Sequence, residues 1–143
     1  MNELTPAELP EFSSAEAVLT CTDVLPAAAR KGLQLFNEQQ YFEAHEALEF
    51  AWRAETGAAR ELYRGILQVG VGYYHLQHGN YRGAIKLLAR SKPRLAIFPD
   101  WCQGVNVQKL REDSQRVAAE LVRLGPDRMQ ELSPGLLTVV EFS

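Results

Sequence analysis

Nowhere in the 143 residues is there a run approaching the roughly eighteen consecutive apolar side chains that a membrane-spanning helix needs. The polar start, Met1 to Glu11, lacks the basic opening and apolar middle of a secretory signal. Basic charge is also scarce. Fifteen Lys and Arg stand against 18 Asp and Glu, which leaves a net charge of -3 and none of the positive field that nucleic-acid binding draws on. Cysteine is rarer still: Cys21 and Cys102 stand alone, without Cys-x-x-Cys spacing. They offer neither a zinc knuckle nor a disulfide framework, as suits a reducing compartment. These absences lead us to expect a soluble, cytoplasmic chain with no membrane contact and no nucleic-acid partner, leaving a partner protein or a homo-oligomer open. The remainder is ordinary globular material, 46% hydrophobic and 23% charged, in an amount suited to one domain. A chain of this length buries roughly 70% of its unfolded surface, so it needs no metal merely to fold.

Periodicity divides the chain into helices. Residues 1–22 carry Pro6 and Pro10 among scattered Ser, Thr and Glu, and read as a flexible or peripheral arm. Asp23, Pro26 and the alanines after them resemble a helix start, with the helix running to about residue 38. Tyr41 to Ala54 repeats at three and four residues and stops before Thr56-Gly57, giving a second helix. Residues 58–78 are apolar on nearly every side, as a helix surrounded by others should be. Gly79-Asn80 supplies a stop and a new cap for a fourth helix through about Ser91, after which Pro93 and Pro99 predict an irregular connector. A fifth helix follows over 106–124, ended by Gly125-Pro126. The β-prone close, 136–140, lacks a partner strand and should lie on the bundle as an extended tail within 126–143.

A weak repeat of 40 residues aligns Gly32, Phe36, Tyr41, Ala44 and Leu48 with Gly72, Leu76, Tyr81, Ala84 and Leu88. This is the pattern of tetratricopeptide-like hairpins, but two copies are too few for an open solenoid. The expected fold is therefore an all-α compact bundle of about five helices over 23–125, containing two such hairpins.

Chemistry concentrates on the second and third helices. On a helical wheel His45 and Glu49 fall within the apolar arc of Tyr41, Ala44, Leu48 and Trp52, with Glu46 and Arg53 on its edge. They are four residues apart and can touch. Arg64, Gln68 and His75 form a stripe on the next helix beside Gly65 and Gly72, which would admit a close neighbour. We read the two stripes as facing one another around a buried polar centre. On that reading Glu49→Ala should cost about 3–5 kcal/mol, as breaking a buried pair does.

The stretches Leu35-Phe36-Asn37, Tyr41 to Glu49, Trp52-Arg53, Arg64 to Gln68, Tyr74-His75, Gly79-Asn80 and Gly83-Ala84 resemble the family catalogued as domain of unknown function 309, over roughly residues 25–125. The resemblance implies a small all-helical bundle without an established activity. It also implies that His45, Glu46, Glu49, Arg53, Gln68 and His75 are the family's typical polar set. One departure is the turn Asn37-Glu-Gln-Gln40, where a glycine is expected before Tyr41.

Three readings of this set compete. It forms a structural network fixing helix register. Alternatively it lines a small-molecule or metal pocket, with His45, Glu49 and His75 as candidate ligands and Glu46 or Glu49 as a general base for hydrolase-type chemistry. Against that, Arg53 and Arg64 oppose a cation, and no nucleophile motif, phosphate loop or cofactor motif accompanies the set. Lastly, the hairpins form a protein-interaction module, with Tyr63, Tyr81, Phe98 and Trp101 as candidate surface aromatics. Arg82, Lys86, Arg90, Lys92 and Arg94 mark a basic, solvated side of the fourth helix.

Overall fold

A computed structural model describes residues 9–143; residues 1–8 of the expected arm lie outside the described residues. The chain is a helical bundle: α1 (Ser14–Leu19), α2 (Ala27–Asn37), α3 (Tyr41–Ala54), α4 (Ala59–Gln77), α5 (Tyr81–Ala96) and α6 (Val107–Leu124), with a two-residue hairpin of β1 (Trp101–Cys102) and β2 (Val105–Asn106). No helix among the described residues is long and apolar enough to cross a membrane.

Local chemistry explains the boundaries. Ser13 accepts a bond from the Glu16 amide at 3.1 Å while the Glu16 carboxylate accepts one from the Ser13 amide at 2.9 Å, a capping box that starts α1. Asn80 and Asn106 cap α5 and α6 by accepting from the amides of Gly83 and Lys109. The expected end of the fourth helix at Ser91 needs correction, because α5 continues through Pro93 to Ala96. Proline removes one intrahelical donor there. The last turn persists because it buries Leu95 and Arg94, each 1% exposed.

The core runs through α4, packed between α3 and α5, with α2 against α3 and α6 against α5. At one end the rings of Phe36, Tyr41 and Tyr73 meet with centroids 5.3–5.7 Å apart, and burial pushes the Tyr41 phenol up to about 12. The 40-residue repeat has a physical basis. A Cβ on Gly32 would sit 2.6 Å from Leu48 Cγ, and one on Gly72 would sit 3.1 Å from Leu88 Cγ, so each glycine admits the leucine of the following helix. The turns repeat as well: Gly79 adopts φ 73° between α4 and α5, and Gln39, forty residues earlier, adopts φ 63° between α2 and α3. Glutamine therefore takes the left-handed backbone that glycine adopts without a steric penalty, which accounts for the missing glycine in that turn.

Cys21 and Cys102 are bonded to one another, with Cα atoms 4.2 Å apart. This corrects the reading of two isolated thiols. Eighty-one residues separate them, so no local spacing betrays the pair. Beside the bond, the Gln103 amide donates to the Cys21 carbonyl at 2.8 Å, and the Gln103 side chain donates to the Thr20 carbonyl and accepts from the Tyr63 hydroxyl. The segment holding α1 is thus tied to the β1–β2 hairpin, and Ala17 is fully buried. At the other end of the chain, the Val140 backbone exchanges two hydrogen bonds with the Asn37 side chain, and Val105 forms an isolated bridge with Phe142. Asp113 accepts from Lys109, Arg116 and Thr138; burial pushes its carboxyl up, but these donors outweigh burial and hold it below the usual carboxylate range.

Candidate functional site

The sequence-predicted polar residues occupy the face formed by α3 and α4, where the backbone separates them more than the wheel suggests. The buried side of α3 is set by Tyr41, Ala44, Leu48 and Ala51. His45 and Glu49 each follow a member of that stripe by one residue, about 100° around the helix, and so lie on its edge. Each side chain is 34% exposed. His45 Nε2 is 3.4 Å from one Glu49 oxygen, and the Arg53 guanidinium is 3.2 Å from the other. Glu46 and Arg53 are exposed. The expectation that His45 and Glu49 point inward to a buried centre is therefore corrected: they form a half-buried chain in which Glu49 meets His45 on one side and Arg53 on the other.

On α4, Gln68 is buried at 6% exposure, and its Oε1 has no hydrogen-bond partner. His75 faces the start of α5 instead of α3, with Nδ1 3.3 Å from the Asn80 side chain and its ring against Gly83. Burial, then the charge of His78, lowers its basicity. Gly65 and Gly72 also open toward α5, against Leu95 and Leu88, so the close approach they permit is to α5 and not to α3.

Arg64 lies over the Trp52 ring, 4.7 Å from its centroid, and Arg60 and Arg53 approach the same ring at 5.3 and 5.9 Å. Arg60 pairs with Glu11 at 3.3 Å. No described residue gives the Arg64 guanidinium a hydrogen bond or an ion pair at all. At the opposite end of the face Phe42 is 53% exposed, 6.4 Å from the His45 ring and 6.1 Å from Tyr74, on which His78 stacks at 4.1 Å. Of the aromatics proposed for a surface, Tyr63 and Phe98 are buried, Tyr81 is half-buried and Trp101 is exposed. Among the described residues no three His, Cys, Asp or Glu side chains converge to hold a metal ion. A cavity of about 340 Å³ lies elsewhere, lined by Leu76, Met129, Leu132 and Leu137.

The deeply buried charge is a pair that sequence reasoning missed. Glu61 on α4 and Arg94 on α5, each 1% exposed, meet at 2.5 Å, and the Glu11 amide donates to the other Glu61 oxygen. Arg94 therefore leaves the basic, solvated side to which its neighbours were assigned. The signal was available: Ala84, Leu88, Ser91 and Leu95 form the buried stripe of α5, and residue 94 flanks it. Ending the helix at Ser91 hid that register.

With this geometry in place, the chain can be compared with known proteins. Residues 29–87 match the family described as a domain of unknown function, DUF309. The DUF309 match is shorter than the resemblance read over 25–125 and spans most of α2, all of α3 and α4, and the first half of α5. Over 54 residues the chain is also 39% identical to the uncharacterized protein YpuF of Bacillus subtilis (strain 168), a stretch covering 37% of this chain and 31% of that protein. The chain thus matches about a third of the length of this curated relative. The Trp52 cluster and the His45–Glu49–Arg53 chain lie wholly within the DUF309 stretch, whereas Arg94 and both cysteines lie outside it.

Proposed function

We propose that this protein is a non-catalytic binding module whose working surface is the α3–α4 face, and that its partner is another protein. The observation that carries this reading is Trp52 with three arginines around its ring, on a face that also exposes Phe42. Tryptophan, tyrosine and arginine are the side chains that dominate binding energy where proteins meet. The two helices behind them are locked by core packing on their other sides, which suits a preorganised surface. The hairpins α2–α3 and α4–α5, which we read as tetratricopeptide-like, hold the face at their junction. A general-base role fits less well, since Glu46 is exposed and Glu49 is engaged by both His45 and Arg53. Metal ligation lacks a converging donor set among the described residues. Cytoplasmic residence belongs to this reading on condition that the Cys21–Cys102 bond is reversible, because cytoplasmic thiols are held reduced.

A photo-crosslinking residue placed at position 42 and, separately, at the exposed Val122 of α6 tests the reading in cells. We expect one discrete adduct from position 42, lost on Trp52→Ala, and none from position 122. Equal labelling from both positions, or an adduct indifferent to Trp52, would overturn it.

A further inference from the structure

We infer that the Arg64–Trp52 pair is a receptor for a single carboxylate, supplied by an acidic side chain of the partner protein; this rests on the binding-module reading above. A guanidinium lying over an indole ring keeps its in-plane N–H donors free at the edges, and those of Arg64 meet no acceptor among the described residues. Arg64 is half-buried, so burial and the neighbouring Arg94 charge lower its basicity, and it holds a charge without a compensating partner.

Charge arithmetic then selects the ligand. The groups acting on Arg64 are Arg94, Glu61, Glu11 and Arg60. Glu61 is bound to Arg94, and Glu11 to Arg60, so these four cancel in pairs. The third arginine at the ring, Arg53, is neutralised by Glu49. Among the described residues, the Arg64 charge is left over. A monoanionic, planar carboxylate matches it and can accept two parallel bonds from the guanidinium fork. A polyanion such as a nucleic-acid backbone would bring further charges against Glu49 and Glu11, in a chain that already carries a net charge of -3. The carboxylate comes from an acidic side chain because the binding-module reading makes the occupant of this face a protein, and a planar carboxylate, unlike a tetrahedral phosphate, matches the planar guanidinium fork.

The test uses the full chain with Trp101→Phe, which leaves Trp52 as the sole tryptophan, at constant ionic strength to fix screening. Its fluorescence and indole N–H resonance are followed while titrating sodium benzoate, benzamide, acetyl-Leu-Glu-Leu-amide, its Gln counterpart and inorganic phosphate. We expect saturable responses in the millimolar range to benzoate and to the Glu peptide, and none to benzamide or the Gln peptide. Arg64→Gln should weaken both responses at least about tenfold, the loss expected for hydrogen bonds to a charged group, while Arg123→Gln at the exposed end of α6 leaves them unchanged. Arg64→Lys should weaken them less than Arg64→Gln, because it keeps the charge and loses the fork. An unchanged response in Arg64→Gln, the absence of any saturable response, or tighter binding of phosphate than of the Glu peptide would each overturn the assignment. Benzoate binding with an intact Arg64 dependence, alongside a failed crosslink at position 42, would sink the partner-protein reading alone. A persistent crosslink without carboxylate binding would sink this assignment alone.

Discussion

Glu49 and Glu61 are both carboxylates on the matched helices, each beside an arginine, and burial gives them opposite energetic weight. Glu49 is 34% exposed, so its pairing with His45 and Arg53 competes with water and salt and contributes at most about 1 kcal/mol. Glu61 has almost no access to water, and removing its charge takes from Arg94 the carboxylate it meets in the core. We therefore expect Glu61→Gln to lower stability by about 3–5 kcal/mol and Glu49→Ala by about 1 kcal/mol or less, measured by urea denaturation. Replacing both partners, Glu61→Leu with Arg94→Met, should recover much of the loss, because the desolvation cost of both ions disappears together. Equal midpoints for the two single variants would show that the Glu61–Arg94 pair does not form.

At the scale of elements, helix spacing is set by which glycines face a leucine. Gly32 and Gly72 hold equivalent places in the two hairpins, yet their clearances differ: 2.6 Å to Leu48 Cγ against 3.1 Å to Leu88 Cγ for an added Cβ. Alanine gains helix propensity of about 1 kcal/mol at either site, and overpacking opposes it. At position 32 the overlap is with the branch point of a fully buried leucine that cannot swing away, so the steric loss wins. Gly32→Ala should lose about 1–3 kcal/mol, and Gly72→Ala should stay within about 1 kcal/mol of the parent in thermal unfolding. A Gly32→Ala protein as stable as the parent would mean that α2 and α3 are free to move apart.

For the whole molecule, the Cys21–Cys102 bond closes a separation of 81 residues, tying the segment that precedes the DUF309 stretch to the hairpin that follows it. Closing so long a loop restricts the unfolded chain, which corresponds to about 4–5 kcal/mol. Reduction with dithiothreitol, or Cys21→Ser with Cys102→Ser, should lower the unfolding free energy by that order. The same stability with and without reductant would show that the bond is not formed in solution.

Repeating apolar positions determined the helices, because a helix that must bury one side writes that need into its own sequence at intervals of three and four. Tyr41, Ala44, Leu48 and Ala51 fixed α3 in this way, and Gly32 with Gly72 announced that two hairpins share one design. Partners across the fold were another matter. Whether His45 meets solvent or core depended on some 100° of rotation at the edge of an apolar arc, which only the packing of α4 against α3 decides. That Glu61 finds Arg94, and Cys21 finds Cys102, depended on segments brought together across 33 and 81 residues. Such distant pairings leave no periodic trace, because the chain between them sets their approach and its own sequence need not match theirs.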